Sequence, residues 1–132
     1  MTSTRFLASA AALACAYALA TPPALAKADE YRFELVGKPQ AKGGRDIVQV
    51  RIVHAPDNKP VADAVIFEST ADMGPAGMAT MTAPVKAMPA KGGVYSFEVE
   101  PGMTGTWALH LAAKVQGEPE TVRGTLNADL VK

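Results

Sequence analysis

The chain has 132 residues, 13 basic and 13 acidic side chains, 48% apolar residues and a single cysteine. That length allows one domain, and zero net charge removes the cationic surplus that phosphate binding needs, so nucleic acid is not an expected partner. The apolar share is that of an ordinary globular protein, which excludes wholesale disorder.

Residues 1–26 read as a signal peptide. Arg5 supplies a positive start, Phe6 to Ala20 is an almost unbroken apolar stretch, Thr21-Pro22-Pro23 breaks any helix, and Ala24-Leu25-Ala26 is a small-x-small cleavage pattern. Fifteen residues rich in alanine fall short of the ~20 that a spanning helix needs, so no transmembrane span is expected after processing. Acylation at Cys15 is the alternative, although Ala12-Leu13-Ala14 sets leucine one position away from its usual place in a lipobox. Cleavage after Ala26 leaves Lys27 to Lys132, with 12 basic and 13 acidic side chains, a net charge of −1 and no thiol. The expected location is the periplasm or the exterior. Disulfides common in small exported domains are unavailable here, so the core must hold the fold unaided.

From residue 27 the hydrophobic period is two, which predicts strands. Tyr31, Phe33 and Leu35 alternate with Arg32 and Glu34, and Ile47 to Val53 is a β-branched run. Val65 and Phe67 are expected on an inward face, alternating with Ile66 and Glu68. Tyr95, Phe97 and Val99 form the next alternating set, then Trp107, Leu109 and Leu111, then Val122, Leu126 and Leu130. Clusters such as Lys42-Gly43-Gly44, Pro56 to Pro60, Lys91-Gly92-Gly93 and Gly117-Glu118-Pro119 separate them as turns. The pattern predicts an all-β fold, a single immunoglobulin-like antiparallel β-sandwich of about seven strands over residues 27–132, with Trp107 in the core beside Tyr95, Phe97 and Val65.

Catalysis is poorly served. The exported part holds two serines (Ser69, Ser96) and two histidines (His54, His110), without a nucleophile-elbow sequence or a cysteine. The carboxylates are scattered and no glycine loop suits a phosphate. An enzyme is not expected. Methionine is the unusual residue: Met73, Met78, Met81, Met88 and Met103 remain after processing, three of them in Asp72-Met73-Gly74-Pro75-Ala76-Gly77-Met78-Ala79-Thr80-Met81. Two glycines and a proline predict a loop there. Thioethers are soft, neutral ligands that suit Cu(I), and equally they fill irregular gaps at the end of a core. His110 falls on the face opposite Trp107, and His54 ends a strand before Pro56; each is either an ordinary surface histidine or a further ligand.

Four pieces of sequence, in order from Val50 onward, resemble the YtkA-like/FixH-like family of exported domains. They are Lys59-Pro60-Val61-Ala62-Asp63-Ala64-Val65, the methionine stretch from Asp72 to Met81, Gly93-Val94-Tyr95, and Met103-Thr104-Gly105-Thr106-Trp107-Ala108-Leu109. Asn58 stands where the family prefers glycine, and the methionine stretch is less compact than the family form and holds no histidine. The resemblance implies an immunoglobulin-like sandwich in the periplasm or at the cell surface, in a family often associated with heavy-metal handling or copper-oxidase assembly. Two functions follow as expectations. One is binding of copper ion as Cu(I) by Met73, Met78 and Met81, with His54, His110, Met88 or Met103 as further ligands. The other is docking of the methionine loop and an exposed sheet edge onto envelope efflux or oxidase-assembly proteins.

Overall fold

The computed structural model describes residues 28–132, so the signal-peptide reading of residues 1–26 lies outside the described residues. A 3-10 turn at Ala28–Glu30 leads into ten strands: β1 (Tyr31–Leu35), β2 (Gln40–Lys42), β3 (Arg45–His54), β4 (Lys59–Val61), β5 (Val65–Met73), β6 (Met78–Ala83), β7 (Val85–Ala87), β8 (Tyr95–Val99), β9 (Gly105–Lys114) and β10 (Val122–Leu130). All pairings are antiparallel. One sheet runs β1-β3-β8-β7, with β2 and β4 also on β3; the other runs β10-β9-β5-β6. Two antiparallel sheets facing each other across one core make the sandwich that the period-two pattern requires. The count exceeds seven because β2, β4 and β7 are three-residue rungs and because the methionine stretch contributes a strand.

Phe33, Val50, Ile52, Phe97 and Val99 from one sheet meet Trp107, Leu109, Leu111, Val122 and Leu130 from the other, all buried. Trp107 sits in this core with Tyr95 and Phe97, and its indole Nε1 donates to the Met103 carbonyl at 3.1 Å. Tyr95 turns its hydroxyl back onto the chain, accepting from the Ala64 amide at 3.1 Å and donating to the Val61 carbonyl at 2.9 Å. Asp46 is the one buried charged residue among the described residues; it accepts the Val131 amide at 3.1 Å and so ties the C-terminal segment to the start of β3.

Val65 and Phe67 do not face the core. They are 64% and 54% exposed. The β5–β9 register shifts between Ile66 and Glu68, which leaves Phe67 as an extra residue in the strand. A bulge of one residue reverses which side chains point inward, so Ile66 packs on the core instead and Val65 is no neighbour of Trp107.

The two margins of the sandwich differ. On one, β1 lies against β10, and Gly124 is bare of a side chain where the Phe33 ring crosses it. On the other, the chain passes between sheets at Pro84, whose carbonyl accepts the Glu100 amide at 3.1 Å. Beyond that crossing, residues 65–70 of β5 have no strand on their second edge among the described residues, because β6 pairs with β5 only at residues 71–73. A groove of about 210 Å³ opens there, with Ile66, Tyr95 and Phe97 at its base.

At the β3–β4 turn Asn58 has φ +55°, the left-handed conformation that asparagine tolerates better than most non-glycine residues. Its place in a motif where glycine is usual is thereby explained.

Candidate functional site

The stretch from Asp72 to Met81 is a tight hairpin rather than a loop. β5 continues through Met73, a single 3-10 turn occupies Gly74–Ala76, and β6 begins at Met78, with Met73 and Met78 as cross-strand partners. Pro75 near the start of the turn and Gly77 at its end, in the left-handed conformation with φ +79°, are what one tight turn needs. The Gly77 amide closes it on the Gly74 carbonyl at 2.9 Å. The remaining residues of the stretch were free to pair.

Pairing separates the methionines by environment. Met73 points into the core and is 2% exposed, with its terminal methyl set against Gly105; a Cβ at residue 105 would stand 2.7 Å from that methyl. Met78 is half-buried on the margin of the core. Met81 and Met103 are 37% and 42% exposed. Met103 lies in the segment between β8 and β9, two residues before the glycine that Met73 touches, so thioethers from two separate segments share one end of the sandwich. Met88 does not join them. It follows β7, its amide bonded to the Ser96 carbonyl at 2.9 Å, and it stands between a surface hollow with Gln40, Ile47 and Gln49 and the groove beside β5.

The histidines are separated as well. His54 ends β3 in a cluster of its own, with Nδ1 at 2.8 Å from Asp57 Oδ1, Nε2 at 3.6 Å from Glu30 Oε2, and its ring tilted against Tyr31 at a centroid distance of 5.0 Å. None of the methionines is among these neighbours. Burial and then the hydrogen bond to Glu118 push the Tyr31 hydroxyl up to about 12, so it stays protonated. The hydrogen bond to Asp57 raises the His54 pKa above its ordinary value and lowers that of Asp57. A histidine with a raised folded pKa adds stability that is complete below its unfolded value and is lost as pH rises through the folded one. Thermal midpoints of the wild type should therefore fall as pH climbs from the ordinary histidine value of 6.5 into the range above it, and the fall should be absent in His54→Gln.

His110 lies on the outer face of β9, opposite in direction to Trp107, as the alternation implied. Register places it between Thr70 of β5 and Thr125 of β10. Its Nε2 stands 2.6 Å from Asp72 Oδ2 and its Nδ1 3.0 Å from Thr125 Oγ1. The other oxygen of Asp72 accepts the Gly74 amide at 2.7 Å. That amide first, and His110 after it, hold the Asp72 carboxyl below the usual range. An ionised carboxylate only accepts, so His110 Nε2 donates to Asp72. Asp72 was not among the residues singled out from sequence. The signal for it was local: an aspartate two residues before a glycine is a common turn former.

Among the described residues there is no group of three or more His, Cys, Asp or Glu side chains arranged to hold a metal ion. Among the same residues no helix is long and apolar enough to cross a membrane.

The sequence profile of YtkA-like proteins matches residues 25–112. The chain belongs to the YtkA-like family. The match starts further toward the N-terminus than the four motifs and ends within β9, so in this YtkA-like protein β10 lies beyond it. The FixH-like part of the likeness rests on the motifs alone. No curated protein and no solved structure matches the chain.

Proposed function

We propose that this YtkA-like protein is an exported, non-catalytic Cu(I)-binding protein whose ligands come from Met78, Met81 and Met103. The observation that carries the reading is that Met73 meets Gly105, which sets the β5–β6 hairpin beside the segment that carries Met103, with Met81 and Met103 exposed. Soft neutral sulfur favours Cu(I) over hard and borderline ions, and thioethers, unlike thiols, do not pair into disulfides in an oxidising compartment. Met73 is buried in the core beneath the hairpin, while His54 and Met88 lie elsewhere. Export to the periplasm is supported by Arg5, the apolar stretch from Phe6 to Ala20 and the Ala24-Leu25-Ala26 pattern.

Anaerobic titration with Cu(I) against a competing chelator tests this. The wild type should compete, the Met78/Met81/Met103 triple leucine variant should lose measurable binding, and Met73→Leu should match the wild type. Leucine conserves apolar volume and removes only the sulfur. A triple variant that binds like the wild type, or a wild type that does not compete, rejects the reading.

A second reading has its own support. Among the described residues, residues 65–70 of β5 present an unpaired edge, with Val65 and Phe67 exposed beside an apolar groove. Strand edges of this kind recruit extended segments from partners, and an efflux or oxidase-assembly protein of the envelope would supply one.

A further inference from the structure

The methionine hairpin is held weakly by its own strands. β6 is an edge strand, paired with β5 at Ala71, Asp72 and Met73 only, and the pairing shifts register between Asp72 and Met73. Successive side chains of β5 point to opposite faces. The strand that buries Met73 inward therefore turns Asp72 outward, onto the face that carries His110 and Thr125.

There the side chains form a continuous chain of hydrogen bonds. It runs from Thr125 on β10, through His110 on β9, to Asp72 on β5, and ends on the Gly74 amide in the turn itself. Both ring nitrogens of His110 are engaged in it, and so are both carboxylate oxygens of Asp72. The ring nitrogens of His110 are therefore both committed to the sheet rather than to the methionine side of the hairpin. Gly74 is fitted to the contact, since a Cβ there would stand 2.8 Å from Asp72 Oδ1. Local bonds from an aspartate to an amide two residues on fix turns of this kind, and bonds to an ionised carboxylate are the stronger ones.

We propose that Asp72 and His110 are positioning residues: they fasten the Gly74–Ala76 turn to the outer face of the β5-β9-β10 sheet and so set where Met78 stands relative to Met103, without touching the ion. The role at copper rests on the Cu(I) reading above; the fastening of the hairpin does not. His110 thereby leaves the set of ligands and becomes part of the scaffold. Outer groups that orient ligands commonly change metal affinity by roughly 10–100-fold when removed.

The test uses the purified protein with Asp72→Ala, His110→Ala and the conservative Asp72→Asn, whose amide oxygen still accepts the Gly74 amide. Amide hydrogen exchange without metal is the first readout. Gly74 and Gly77 should exchange faster in both alanine variants, with the β9 amides around Trp107 unchanged, and Asp72→Asn should restore most of the protection. Unchanged exchange at the turn in both alanine variants overturns the proposal whether or not copper binds. The second readout is Cu(I) affinity together with copper K-edge absorption. The alanine variants should bind roughly 10–100-fold more weakly, while wild type and variants all show a shell of sulfur alone. A nitrogen neighbour in the wild type that disappears in His110→Ala makes His110 a ligand and overturns the proposal. Loss of turn protection in a protein that binds no Cu(I) upholds the fastening and removes the copper reading alone.

Discussion

Trp107→Ala should destabilise the fold by ~3–5 kcal/mol, the range for deleting a large buried aromatic. The indole lies in the core between the sheets, and its removal empties that space while orphaning the Met103 carbonyl it donates to. A domain of this size has only about 5–15 kcal/mol in total, so the variant should melt on the order of 15 °C or more below the wild type. Trp107→Phe keeps most of the volume and should cost much less. Denaturant unfolding followed by far-UV circular dichroism measures both without needing the tryptophan signal. A loss under about 1 kcal/mol for the alanine variant would mean that the indole does not anchor the two sheets.

Gly124→Ala should be the next most damaging single change, by about 1–3 kcal/mol, because its Cβ would fall on the Phe33 ring. Intrinsic propensity pushes the other way, since alanine in a strand is normally better than glycine by roughly 0.5–1 kcal/mol. The sign of the effect therefore decides between local preference and close packing. A double-mutant cycle with Phe33→Leu isolates the contact: with the ring gone, the alanine should be neutral or stabilising. If Gly124→Ala stabilises the wild-type background, β1 does not lie on β10 as described.

Much of the fold was legible because most strands bury one face and wet the other. In β1, β8 and β10 that contrast prints itself on alternate residues, and in β9 the large side chains Trp107, Leu109 and Leu111 mark the inner face. β5 misled because a single extra residue at Phe67 inverts the parity of Val65 and Phe67, and nothing in their identities announces it. The stretch from Asp72 to Met81 misled for a different reason. Its glycines and proline are loop formers by composition, yet one three-residue turn uses them up and leaves the rest to pair.

The methionines were legible as a cluster and illegible as individuals. Whether a thioether fills the core or faces water depends on strand parity and on a bare glycine thirty-two positions away, as Met73 and Gly105 show. The bond from His110 to Asp72 spans 38 residues of sequence and exists only because antiparallel register sets β9 beside β5. No spacing rule on a single strand could have paired them.

The unequal margins of the sandwich also distribute its mobility. Where Phe33 crosses Gly124 the two sheets are interlocked, and motion there requires the core itself to yield. The opposite margin is held by short or partly paired strands, β7 and β6, and by chain crossings at Pro84 and, between β4 and β5, at residues 62–64. Local opening concentrates where few buried contacts resist it, so the sheets should separate first on the side that carries the methionine hairpin. On the Cu(I) reading proposed above, a site on that side would adjust its shape by small movements of a hinged edge, at little cost to the interlocked margin.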